Sequence, residues 1–162
     1  MKYHNIVKND MLNGEGLRVT LFVSGCSHKC FNCQNPQTHS PLSGIKFDKN
    51  ALNEIFEQLE KDYIDGLTLS GGDPLFCDNR SKIYNICKQV KDKFPNKTIW
   101  LYTGFKWEEI KDLILLKYVD VLIDGKFIEA LKDENYRWAG STNQRVIDVQ
   151  KSLKEKEVIL YE

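Results

Sequence analysis

The chain has 162 residues, 41% hydrophobic and 28% charged, and its lysine plus arginine equal its aspartate plus glutamate at 23 each. That length allows one domain with a real core, expected over residues 1–162, and the even charge argues against a polyanionic partner, so no nucleic-acid binding is expected. No apolar run approaches the ~20 residues of a membrane span and no basic-then-apolar leader opens the chain, so a cytoplasmic protein without membrane association is expected.

Strands and helices alternate along the chain. Leu17 to Val23 reads as a strand ending in Ser24-Gly25. Leu52, Ile55, Phe56 and Leu59 recur at helical spacing, and Gly66 to Leu69 reads as a second strand ending in Ser70-Gly71-Gly72. Ile83, Ile86, Val90 and Phe94 mark another amphipathic helix, stopped by Pro95-Asn96. Ile99 to Tyr102 is a third strand, ending in Thr103-Gly104, and Trp107, Ile110 and Leu113-Ile114 suggest the next helix. Val119 to Ile123 is a fourth strand, ending in Asp124-Gly125. Beyond it, residues 137–145 read as a polar loop, and 146–149 and 158–161 as short strands. Such alternation predicts an α/β fold with a parallel sheet, in which ligands sit beyond the carboxyl ends of the strands. Four strand ends of a small polar residue and glycine point to a shared site at that rim.

The first of these ends runs into Cys26-Ser27-His28-Lys29-Cys30-Phe31-Asn32-Cys33, a C-x3-C-x2-C spacing. Three of the five cysteines lie within eight residues, unlike a spaced disulfide framework, and in a reducing compartment this favours metal or cluster ligation. A [4Fe–4S] cluster takes one thiolate per iron, so three cysteines leave one iron open to a small molecule. Two other arrangements fit the local residues. Zinc can be held by the three cysteines with His28 or His39, and Cys77 can come near the rim as a fourth cluster ligand. Cys87 reads as core, and His28 and His39 as surface loop residues.

The cysteine loop after an initial strand resembles the radical S-adenosylmethionine superfamily, and Ser70-Gly71-Gly72-Asp73-Pro74 resembles its Gly-Gly-Glu-Pro motif, with Asp73 in place of glutamate. The segments Val23 to Cys26, Cys33 to Pro36, Gly66 to Leu75, Tyr102 to Gly104, Val119 to Phe127 and Gly140 to Arg145 follow in order. They resemble the family of glycyl-radical-enzyme activases, in the branch serving the anaerobic ribonucleoside-triphosphate reductase. Asn32 departs from the superfamily, which often has an aromatic residue there, and Gly14-Glu15-Gly16 replaces a usual Gly-Pro-Gly.

The resemblance implies a shortened radical SAM fold, an open partial (β/α) barrel of mostly parallel strands. It implies that Cys26, Cys30 and Cys33 hold the cluster and that S-adenosylmethionine chelates the open iron. An electron from reduced flavodoxin would then cleave it to methionine and a 5′-deoxyadenosyl radical, which takes hydrogen from a glycine of the reductase large subunit. The backbone of Asn32, Cys33 and Gln34 is expected at the adenine, and Gly71 and Gly72 at the methionyl ammonium. Asp73 is expected either to assist electrostatically or to cap the following turn. Thr103 and Asp124 are assigned to the ribose or methionyl end or to a bound cation, and Lys126 to the substrate carboxylate or to solvent. Asn143-Gln144-Arg145 would contact the reductase or close the sheet edge. An activase of another glycyl-radical enzyme and a small zinc-binding regulatory protein are the alternatives.

Overall fold

Side chains alternate across each strand, so a sheet with every second residue apolar has one face to bury. The computed structural model, which describes residues 1–162, shows this arrangement in seven strands. They are β1 (Lys2–Asp10), β2 (Arg18–Val23), β3 (Ile45–Lys46), β4 (Gly66–Gly71), β5 (Thr98–Tyr102), β6 (Val121–Asp124) and β7 (Arg145–Asp148). Their spatial order is β3-β1-β2-β4-β5-β6-β7, and the sheet is not closed. The central four, β2, β4, β5 and β6, are parallel, and β1, β3 and β7 are antiparallel to their neighbours.

On one face, Val19, Leu21 and Val23 of β2, Leu67 and Leu69 of β4, Ile99 and Leu101 of β5, Leu122 and Ile147 are all fully buried. They meet Ile55 and Leu59 of helix α1 (Lys49–Leu59) and Ile83, Ile86 and Val90 of helix α2 (Arg80–Lys93) in one continuous core. Each such side chain contributes about 2 kcal/mol of transfer free energy. Asp48 starts α1 by accepting the Ala51 N–H at 3.0 Å. Cys87 belongs to this core, as expected.

The other face is chemically different. Arg18, Thr20, Thr68, Ser70, Trp100 and Tyr102 occupy the alternate positions, and the register sets Thr20 beside Thr68 and Thr68 beside Trp100. At the amino-terminal end of the strands, buried Arg18 donates to Thr68 Oγ1, Glu15 O, Thr98 Oγ1, Leu67 O and Thr98 O, which uses all five of its N–H groups. Its guanidinium lies 5.5 Å from the Trp100 ring centroid, and Trp100 packs edge-on against Trp138 and Tyr161. This polar and aromatic floor leaves open the end where the strands finish.

Several boundaries differ from the sequence reading. β1 was not anticipated, because only Tyr3, Ile6 and Val7 of its nine residues are strongly apolar. The helix after β5 is one turn, α3 (Trp107–Ile110), followed by a 3-10 stretch at Ile114–Tyr118. Val149 begins the last helix, α4 (Val149–Glu155), rather than ending a strand. Of residues 158–161, only Leu160 pairs, in a single bridge to Ile147. No helix is long and apolar enough to cross a membrane.

Candidate active site at the strand ends

Cys26, Cys30 and Cys33 leave the end of β2 in a loop that lies over the ends of β4 and β5. All three are half-buried free thiols and line one cavity of about 130 Å³. His28, Gln34, Asn35, Ser70, Gly71, Gly72, Asp73, Tyr102, Thr103, Gly104, Gly125, Phe127 and Gln144 complete its wall. The small cavity adjoins a trench of about 790 Å³ over the polar face of the sheet, with Gln34, Asn35, Ser70, Tyr102, Phe127 and Gln144 common to both. Together they offer the room a nucleoside-sized ligand needs. A separate cavity of about 460 Å³ between α3 and α4 lies away from the cysteines.

The glycines make the close fit possible, though not by admitting a ligand. Gly71 has φ +107°, and a Cβ there would stand 2.3 Å from Val23 N. At Gly72 a Cβ would meet the carbonyl oxygens of Gly25 at 2.5 Å and Thr38 at 2.9 Å. The space at Gly71 is taken by the backbone end of β2, and that at Gly72 by Gly25 and Thr38, which flank the cysteine loop. The N–H groups of Gly72 and Asp73 are also spent, on Val23 O and Gly25 O, so this rim presents carbonyls rather than donors.

Asp73 performs its capping role and more. Its side chain is 2% exposed and accepts from Leu75 N at 2.8 Å, Thr103 Oγ1 at 2.9 Å and Gly104 N at 3.0 Å. His28 Nε2 donates to it at 2.5 Å. This corrects the surface reading of His28, whose side chain is 7% exposed and packs edge-on against Phe105 with ring centroids 4.6 Å apart. His28 was missed because its partner stands 45 residues away.

The other expected residues divide. Thr103 lines the cavity, but its hydroxyl is engaged by Asp73 and by the Phe105 N–H. Asp124 does not line it. Its buried carboxylate accepts the Trp107 N–H at 2.8 Å and is paired with Arg145 at 2.5 Å, so it is committed to joining β6, β7 and α3. Lys126 is exposed and also outside the wall, which leaves it the solvent reading. Asn32, at φ +53°, is exposed and turned out of the cavity lining, whereas Gln34 and the unanticipated Asn35 are in it. Cys77 is exposed and lies outside the lining, beside Asp78.

The segment 140–145 is a structural clasp. Gln144 Oε1 accepts from Gly140 N and Ser141 N, and its Nε2 donates to Gly125 O at 3.0 Å. Asn143 Nδ2 donates to Lys126 O at 2.8 Å. These bonds fasten the chain after β6 to the start of β7 and place Gln144 in the wall.

The chemistry of the donor set suits a cluster better than one metal ion. A zinc centre needs four donors within about 2.0–2.3 Å of one point. No group of three or more His, Cys, Asp or Glu side chains is gathered in that way, and the His28 Nε2 is already occupied by Asp73. The cysteines instead surround a shared space, and the Asn35 N–H donates to Cys33 Sγ at 3.4 Å. Burial pushes the Cys26 thiol up to about 11, despite the opposing pull of the His28 backbone N–H.

Comparison with known proteins agrees with this reading of the donors. A family model described as a 4Fe-4S single cluster domain matches residues 12–147. An anaerobic ribonucleoside-triphosphate reductase-activating protein of Enterobacteria phage T4 is 50% identical over 146 residues, 90% of this chain and 93% of that protein. Proteins of the same name from Vibrio cholerae and Escherichia coli are 43% and 40% identical, over 89% and 90% of this chain and 96% and 97% of their own lengths. With three cysteines around one cavity, a matching cluster-domain model and identity sustained along nearly the whole chain, this protein belongs to the family of anaerobic ribonucleoside-triphosphate reductase-activating proteins.

Proposed function

We propose that the chain is a radical SAM activase that generates a glycyl radical on the anaerobic ribonucleoside-triphosphate reductase. The observation that carries this reading is the single cavity lined by Cys26, Cys30, Cys33 and the Gly71–Gly72 rim, opening on the trench. Residues 1–162 act as one unit, a shortened open barrel whose polar face takes the place of a closed interior. Cys26, Cys30 and Cys33 would hold a [4Fe–4S] cluster, and three thiols for four irons would leave it a place for S-adenosylmethionine. When bound, this pair supplies a low-potential electron and a cleavable sulfonium, yielding methionine and a hydrogen-abstracting 5′-deoxyadenosyl group.

The chain's own residues bind, orient and exclude water. Ligation requires the thiols to lose their protons, most demandingly at Cys26, and the Asn35 N–H compensates part of the charge on Cys33. With the Gly72 and Asp73 N–H groups spent, the rim carbonyls are suited to accept hydrogen bonds from the methionyl ammonium. The backbone from Cys33 to Asn35 faces the adenosyl part, with Gln34 and Asn35 at the junction of cavity and trench. Asp73 and Thr103 hold the rim rather than the ligand. Tyr102, whose hydroxyl donates to Trp138 O at 2.7 Å, and Phe127 wall the site on the trench side. Reduced flavodoxin is the proposed electron donor and the reductase large subunit the partner, in a reducing cytoplasm.

Anaerobic purification with iron, sulfide and zinc analysis tests the metal assignment. About four irons per chain are expected; one tight zinc and no iron would overturn it. Reduced protein with S-adenosylmethionine and the reductase should then give a glycyl-radical signal in electron paramagnetic resonance. A Cys30→Ala variant that produced this signal as well as wild type would sink the assignment.

A further inference from the structure

The cysteine loop is held to the body of the protein by few hydrogen bonds. Its entry is fixed by Gly25 N to Thr38 O at 2.7 Å and Cys26 N to His39 O at 3.0 Å. Cys33 N returns only to Cys30 O, within the loop. Between Ser27 and Asn32, the one hydrogen bond to the body of the protein comes from the His28 ring, at 2.5 Å to Asp73. The same stretch contains two non-glycine residues in the left-handed region, Lys29 at φ +54° and Asn32 at φ +53°. Such a conformation persists only where surrounding contacts impose it.

The socket for the ring is specific. Phe105 meets it edge-on, and the absence of a side chain at Gly104 makes room for it, since a Cβ there would stand 2.3 Å from the His28 ring. Asp73 is held from the other side by Leu75 N, Thr103 Oγ1 and Gly104 N, so the anchor is rigid. The carboxylate also has the length the imidazole requires. A glutamate, one methylene longer, would drive its oxygens into the ring.

We propose that His28 is a positioning residue matched to Asp73: seated on that carboxylate, its ring latches the cysteine loop to the ends of β4 and β5. The latch sets where Cys26 and Cys30 present their sulfurs relative to the Gly71–Gly72 rim. This rests on the reading of those cysteines as cluster ligands, but the latch itself can be measured without iron.

The test compares His28→Ala, His28→Gln, Asp73→Glu and the Asp73→Glu/His28→Ala double variant. Glutamine keeps an N–H near the position of Nε2, and alanine removes it. In iron-free full-length protein, amide hydrogen exchange across residues 26–33 should be faster in His28→Ala and near wild type in His28→Gln, with α1 and α2 protected in both. After anaerobic reconstitution, His28→Ala should lose iron to a chelator about tenfold faster and bind S-adenosylmethionine about tenfold more weakly, read by the change in the reduced cluster's paramagnetic spectrum. His28→Gln should recover most of both effects. Asp73→Glu should be more impaired than the double variant, in which the ring no longer obstructs the longer carboxylate.

Wild-type exchange across the loop in His28→Ala, or no recovery in His28→Gln, would overturn the latch. If Asp73→Glu does not fold, the alanine and glutamine pair still decides. Wild-type protein that takes up no iron would defeat the cluster reading, while the exchange result would continue to judge the latch.

Discussion

Cys26 shows how burial shapes a single group. Its thiol is lifted from an ordinary 9.0 to about 11 chiefly by desolvation, so at neutral pH its thiolate fraction is about a hundredfold lower than normal. In iron-free protein, Cys26 should therefore alkylate with iodoacetamide on the order of tenfold more slowly than exposed Cys77, the higher nucleophilicity of its thiolate offsetting part of the loss, as followed by peptide mass spectrometry; comparable rates would contradict the burial. Asp10 moves in the other direction. Burial alone would raise it, but hydrogen bonds from Asn13 and the Leu12 N–H outweigh that cost and hold it below 3.8. Its folded pKa is depressed, so its contribution to stability is complete above 3.8 and is lost as pH falls through the folded value. Asp10→Asn should flatten the acid limb of a stability curve measured by urea unfolding between about pH 4 and pH 2, while wild type keeps its steeper fall. The three cysteines, both motif glycines and Asp73 were legible because their spacing is local. His28 was not, since its role depends on Asp73, a partner 45 residues away that the sheet brings to it.

At the scale of elements, Asp124 and Arg145 form the hinge pin of the carboxyl-terminal edge. Asp124 accepts from the start of α3, while Arg145 at the start of β7 reaches both Asp124 and Glu108. These hydrogen bonds raise the Arg145 pKa, which keeps the guanidinium charged throughout the accessible range. Arg145→Met should leave a buried carboxylate with only two backbone donors, the N–H groups of Trp107 and of residue 145 itself, and lower stability by on the order of 3 kcal/mol. Urea midpoints measure the loss, and Arg145→Met combined with Asp124→Asn should recover part of it. The central strands were readable because their apolar residues bury one face and their glycine ends punctuate them. β1 escaped notice since a strand with much polar and exposed sequence has no apolar stripe, and its pairing with β2 comes from the ladder. α3 shortened because Leu113 is extended at ψ 126°, which ends helical geometry before the apolar residues do.

For the molecule as a whole, the cysteine loop and the rim interlock through absent side chains. Gly72→Ala would place a methyl between the Gly25 and Thr38 carbonyls, neither of which can swing aside as a side chain tip would. It should lower stability by about 2 kcal/mol and reduce iron retained after reconstitution, measured on the same preparation. Full iron retention would show that the loop shifts without harm to its sulfurs. Gly104 and Gly25 accept the His28 and Phe76 rings in the same manner, where a Cβ would stand 2.3 Å and 2.7 Å away. The consequence reaches anyone who would transplant this centre. A peptide carrying only the three cysteines would arrive on a new parallel sheet with its thiols and none of its sockets. The smallest portable unit is therefore discontinuous: residues 25–39, the turn at 71–76 and the stretch 103–105, moved together or not at all.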